Sequence, residues 1–150
     1  MPDSLGHRMK FGVIAPSTNT SVQPEFDAMA PPGITNHMSR IHVSDNPINN
    51  DDDFNKLVGE IAEAQDAAIE RLMTCHPGHI VMGISAETFW DGLEASKVLK
   101  KHIEKISSVG VTMGSEASQA ALKVYGAKKI AVVTPYQPIG DKNVVRFFEE

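Results

Sequence analysis

Short apolar runs bounded by glycine and proline recur along the chain at residues 11–14, 80–82, 109–112 and 130–133. None alternates cleanly between apolar and polar positions, so each predicts a strand buried on both faces, the mark of a parallel sheet. Residues 34–43 differ. There Ile34, Asn36, Met38, Arg40 and His42 alternate with Thr35, His37, Ser39, Ile41 and Val43, leaving polar groups on both sides and predicting a strand near an edge. Between the runs the spacing turns helical, and the longest such segment, residues 52–74, sets Leu57, Ile61, Ala64, Ala68 and Leu72 on one face. Asp51, Asp52 and Asp53 lie at its start, where the positive end of the helix dipole favours carboxylates, and Pro77-Gly78 ends it. Further helices are predicted over residues 91–105, over 115–125 with Gly126 at the C′ position, near Pro24 and Glu25, and over 143–150.

Strand and helix therefore alternate, which predicts an α/β fold: a parallel sheet with flanking helices, right-handed crossovers, and ligands at the C-terminal ends of the strands. Residues 130–133 would add a fifth strand, either closing one domain or opening another. The 150 residues are 41% apolar, enough to fill one core. Fourteen Lys and Arg against nineteen Asp and Glu give a net charge of -5 with no basic run, which argues against a nucleic-acid partner. The one cysteine, Cys75, has no intrachain partner. Neither a secretory leader nor an apolar stretch of membrane-spanning length is visible, so the expected home is cytoplasmic, with no membrane partner.

The loops that follow the predicted strands are residues 15–21, 83–88, 113–115 and 134–136. All are rich in hydroxyls, small residues and backbone amides and poor in cations. That composition suits a small anion bound by neutral donors ahead of a helix, although Ser, Thr and Asn also cap helices with no ligand present. Sharper motifs fail. Neither Gly-x-Gly-x-x-Gly nor the Walker-type phosphate loop occurs, and Gly83-x-Ser85 lacks the second glycine of a nucleophile elbow because Glu87 stands there. Cys75, His76 and His79 read as structural groups at a helix end rather than metal ligands, and His37 and His42 point to opposite faces of a strand, so no metal is expected. Phe89 and Trp90 read first as core, with a pocket wall beside Ser85 as the alternative.

The opening residues 12–20, with Ala15-Pro16-Ser17-Thr18-Asn19-Thr20, resemble the first strand and loop of maleate cis-trans isomerases. The Thr134-Pro135-Tyr136 segment followed by Asn143-Val144-Val145 is similar to a later part of the same enzymes. The central Met82-Gly83-Ile84-Ser85 with Phe89-Trp90 and Gly92 resembles arylmalonate decarboxylases instead. Both groups belong to the aspartate/glutamate racemase superfamily. The resemblance implies two similar α/β halves facing each other across a cleft, cofactor-independent chemistry through a carbanion or enediolate next to a carboxylate, and one cysteine from each half. Residues 1–127 would form the first α/β domain and residues 128–150 the start of a second, incomplete one. Where racemases and isomerases place their first cysteine this chain aligns Gly83, as the decarboxylases do; Cys75 precedes the strand and belongs at the opposite end of the sheet.

These readings converge on a cofactor-free lyase or isomerase with a small carboxylate or dicarboxylate as its partner. Decarboxylation stands slightly ahead of maleate isomerisation or racemisation, and a non-catalytic carboxylate-binding domain is the alternative of another class. Ser85 and Tyr136 are the candidate catalytic residues, their hydroxyls joining the amides of Ile84 and Ser85 in a hole for a carboxylate that gains charge. Ser17, Asn19, Gly83 and Ile84 are the candidate substrate-binding residues. A decarboxylase also needs an apolar pocket for the departing carboxylate, which the sequence does not locate. Oligomeric state is left open, a homo-oligomer included.

Overall fold

The computed structural model describes residues 3–150. Strands β1 (Met9–Pro16), β2 (Ile34–Ile41), β3 (His79–Met82) and β4 (Gly110–Thr112) form one sheet in the order β2-β1-β3-β4. All pairings are parallel, with Val13 opposite both Met38 and Val81. β1 is central, and its Val13, Ile14 and Ala15 are fully buried. β2 lies at an edge, where its mixed pattern of polar residues belongs.

The helices are α1 (Val22–Met29), α2 (Asp51–Met73), α3 (Ala86–Phe89), α4 (Gly92–Ser107), α5 (Gly114–Val124) and α6 (Pro138–Glu149). α2 begins at an Asn50 cap, whose side chain accepts from the Asp53 amide at 2.9 Å. Its buried stripe runs through Phe54, Val58, Ile61, Gln65, Ala68, Ile69 and Leu72. That stripe is rotated from the expected one, so Gln65 is buried at a position where the 3.6-residue rhythm would put an apolar side chain. The main core joins this helix face to Ile14, Ile41, Ile80, Met82, Ile103, Val111 and Met113.

The expected fifth strand does not form. Residues 130–133 pair with no strand, and Ile130, Val132 and Val133 are 43%, 51% and 98% exposed. Strand propensity needs a neighbour to be realised, and the edge strand β4 is three residues long and pairs with β3 alone among the described residues. The last helix is longer than expected because Pro138 begins it, its fixed φ suiting the first turn. α6 packs back through Val144 and Phe147 onto Phe89 of α3, forming a second cluster that includes Tyr136. Rings of Phe89 and Phe147 meet edge to face at 5.0 Å, so Phe89 belongs to the core.

Candidate functional site

A cavity of about 510 Å³ opens at the C-terminal ends of β1 and β3. One wall is apolar, from Val43, Phe54, Leu57, Ile61 and Met82, and the polar rim comes from Thr18, Asn19, Ser85 and Tyr136. Among the described residues no Lys, Arg or His lines it.

Ser85 arrives from β3. Past Met82 the chain turns up at Gly83, whose amide still donates to the Ile14 carbonyl at 2.7 Å, and α3 then starts at Ala86. The Ser85 carbonyl accepts from the Thr88 amide at 3.1 Å and from its hydroxyl at 2.8 Å, which fixes this turn from below. Among the described residues nothing accepts from the amides of Ile84 and Ser85.

Tyr136 arrives from the far end of the chain, and α6 holds it there. Its ring packs 5.7 Å from that of Phe54, and a Cβ on Gly140 would lie 2.7 Å from Tyr136 Cβ and 3.0 Å from Phe54 Cε1. Glycine at 140 is therefore required for the first turn of α6 to approach the tyrosine. The Tyr136 hydroxyl lies 2.5 Å from Ser85 Oγ across 51 residues of sequence. The two candidate catalytic side chains thus form one hydroxyl pair.

Asn19, Gly83 and Ile84 also line the cavity, and Ser17 does not. Asn19 Oδ1 accepts from the amides of Ser21 and Val22 at 3.0 and 2.9 Å, capping α1. The cap leaves Nδ2 as the side chain's available donor. Ser17 Oγ accepts from the Val43 amide at 2.9 Å and donates to its carbonyl at 3.3 Å, tying the loop after β1 to the chain leaving β2. The expected role for Ser17 in substrate binding is not what this geometry offers.

Gly83 lines the cavity through its backbone: a Cβ there would lie 2.9 Å from Val22 Cγ1 and 3.0 Å from the Ile14 carbonyl. The glycine is set by close packing against α1 and β1.

At the opposite end of the sheet, Cys75 Sγ donates to the Leu72 carbonyl at 3.1 Å, and Lys10 Nζ donates to the Cys75 carbonyl at 2.5 Å. His79 Nε2 lies 2.8 Å from Thr112 Oγ1. These residues serve helix and strand ends, away from the cavity. Among the described residues no three His, Cys, Asp or Glu side chains are grouped to hold a metal, and no helix is long and apolar enough to cross a membrane.

Sequence reasoning missed the apolar wall and one acid. The helical spacing puts Leu57 and Ile61 on the buried face of α2 but does not show the cavity in front of them. Trp90 backs this wall, its ring 5.5 Å from that of Phe54. Glu87, noted only as an obstacle to a nucleophile elbow, is 8% exposed, and burial pushes its carboxyl up to about 7. Gln65 is its partner: with its amide nitrogen turned to Glu87, it lies 3.1 Å from both carboxyl oxygens. An acid inside the otherwise apolar and hydroxylic stretch 84–90 was the available signal.

No protein-family model matches the sequence, and no curated protein does. Solved structures do match in fold. The Nocardia farcinica maleate cis-trans isomerase bound to TRIS superposes with a TM-score of 0.79 at 17% identity, over 94% of this chain and 58% of that one. The maleate isomerase from Pseudomonas putida S16 gives 0.75 at 18% identity, over 94% and 59%. Arylmalonate decarboxylase gives 0.68 at 14% identity, over 93% and 57%. This chain therefore spans just under three fifths of the length of the structures it matches, and the likeness extends to the racemase-like α/β fold.

Proposed function

We propose that the cavity binds a small carboxylate and serves a cofactor-independent enzyme working through a carbanion or enediolate, of the decarboxylase type. The observation that carries this reading is the Ser85–Tyr136 hydroxyl pair, beside two amides without protein acceptors, at the rim of an apolar cavity lined by no cation. Neutral donors of this kind stabilise charge that grows on a carboxylate as the reaction proceeds, and removing one commonly costs on the order of 10²–10³ in rate.

For a substituted malonate, the donors and Asn19 Nδ2 would hold one carboxylate while the other faces Val43, Leu57 and Ile61. Poor solvation there favours its loss as neutral CO2. The C–C bond breaks and its electron pair passes into the retained carboxylate as an enediolate, whose former malonate carbon then takes a proton. Among the described residues no thiol, imidazole or carboxyl lines the cavity, so the proton would come from a second α/β unit beginning near residue 128, where the superfamily resemblance puts a cysteine. Two features support reading decarboxylation ahead of maleate isomerisation. Gly83 supplies no thiol, and the apolar wall favours loss of the carboxylate facing it as neutral CO2 over retention of both charges, as isomerisation of maleate would require.

The experiment is a direct comparison of CO2 release from phenylmalonate with conversion of maleate to fumarate. The expected result is turnover of phenylmalonate; turnover of maleate alone would move the assignment to an isomerase. The missing nucleophile also favours a second reading, a non-catalytic carboxylate-binding unit. It predicts phenylacetate binding with neither substrate converted.

A further inference from the structure

The buried Glu87–Gln65 pair has no role in the chemistry above. Glu87 lies two residues beyond Ser85, so their Cα atoms are at most about 7.6 Å apart. Its partner Gln65 lies one helical turn beyond Ile61, which lines the cavity. The pair is therefore joined to the rim through the start of α3 and to the apolar wall through α2, without itself lining the cavity. We propose that carboxylate binding at the Ser85–Tyr136 rim is linked to uptake of a proton by Glu87, a positioning residue whose charge sets the affinity of the site. This inference rests on the carboxylate-site reading above.

The geometry supplies the coupling. Gln65 is 2% exposed and is the side chain facing the carboxyl, so an ionised Glu87 has one neutral amide as compensation. Such a charge is held at a cost. A bound carboxylate brings a second negative charge into the same region, and no cation lines the cavity between them. Two like charges so placed disfavour each other, and the group that can take up a proton does so.

No charged group on the surrounding helices contributes to the raised carboxyl of Glu87, and several of them are paired with one another. Asp66 of α2 is paired with His102 of α4, Lys100 of α4 with Glu116 of α5, Lys97 with Glu94 within α4, and Arg146 with Glu150 at the end of α6. Burial alone accounts for the raised carboxyl of Glu87. Both protonation states fit without backbone movement. Facing Glu87 with its nitrogen, the Gln65 amide donates to the carboxylate; reversed, its carbonyl accepts from the protonated acid. Because linkage is reciprocal, an anion that raises the proton affinity of Glu87 must itself bind more weakly as pH rises through about 7.

Calorimetric titration of the whole chain with phenylacetate, ionised throughout the range used, tests this. The dissociation constant should be about tenfold weaker at pH 8 than at pH 6, in the usual range of coupling between sites. At pH 7, buffers of different ionisation enthalpy should reveal net proton uptake. Glu87→Gln, neutral at every pH, should abolish both effects and bind at pH 8 as wild type does at pH 6. Should that variant not fold, the carboxyl 13C shift of Glu87 in wild type decides: its midpoint must rise when phenylacetate is bound. Binding of equal strength at both pH values, or an unmoved midpoint, overturns the linkage and leaves the carboxylate site standing. No binding at pH 6 overturns the site and the linkage with it.

Discussion

The loops after β1 and β3 carry similar residues and use them in opposite ways. Ser17 follows Pro16 directly, still beside the chain leaving β2, and its hydroxyl closes on both backbone groups of Val43. Ser85 stands three residues beyond Met82, past the last hydrogen bond to β1 at Gly83, and its hydroxyl meets Tyr136 instead. A hydroxyl within reach of a neighbouring strand satisfies backbone; one carried clear of the sheet is free for something else. The distance past the last paired residue, and not composition, separates the two roles.

The largest effect should fall on the second loop. Ser85→Ala and Tyr136→Phe should each lower turnover of phenylmalonate on the order of 10²–10³, with melting temperature little changed. Steady-state rates beside thermal unfolding check it. Activity and stability falling together would reduce the pair to a structural contact and erase the contrast with Ser17.

Next in size is the acid that only the second loop contains. Burial raises Glu87 from the usual 4.5 to about 7 in the folded protein, while the unfolded chain keeps the ordinary value. Below pH 4.5 both states are protonated and the group has no effect. Between 4.5 and 7 the unfolded chain loses its proton first, so stability falls as pH rises, by roughly 3 kcal/mol across the window, and is level above it. Glu87→Gln should match wild type at pH 4 and exceed its stability by up to that amount at pH 8. Denaturant melts at the two pH values measure the difference.

Much of this architecture was legible in the chain. The runs at residues 11–14, 80–82 and 109–112 became neighbouring strands, although only the first is buried on both faces: β4 is an edge strand with Val111 buried and Gly110 exposed. Residues 130–133 have the same pattern and no partner, since a strand is a property of two segments and pattern reports one. The Ser85–Tyr136 meeting was reachable because both follow strand-like runs. The wall from α2 was not, as it depends on how the helix is rotated, and buried Gln65 shows that rotation to differ from the simplest reading of the sequence.

The glycines at this end of the sheet extend the contrast. A Cβ at Gly83 meets Val22 and the Ile14 carbonyl, so Gly83→Cys should cost about 1–3 kcal/mol of stability through displaced packing. At Gly114, where a Cβ finds nothing nearer than 3.8 Å, Gly114→Ala should fold as wild type does. Paired thermal melts would contradict this if Gly83→Cys were as stable as wild type.

Asn19 divides the two functions within one side chain. Asn19→Asp keeps the oxygen that caps α1 and replaces the Nδ2 donor with negative charge. Phenylacetate affinity should fall about tenfold, equivalent to ~1.4 kcal/mol, with the melting point held. A loss of stability without loss of affinity would show that Asn19, like Ser17, serves backbone alone.

The smallest effect should be at Ser17. Ser17→Ala removes the acceptor for the part-buried Val43 amide and the donor to its carbonyl, while Ser17 itself is exposed. The expected cost is about 1 kcal/mol, the net value of an ordinary protein hydrogen bond, with phenylacetate affinity unchanged. Calorimetric titration beside a denaturant melt separates the two. The Ser17–Val43 strap can reach the site through Val43 and through Pro16 and Thr18 on either side of Ser17, all of which line the cavity. If Ser17→Ala weakened binding as much as Asn19→Asp, the strap would be positioning the apolar wall, and the two loops would differ in distance from the ligand rather than in purpose.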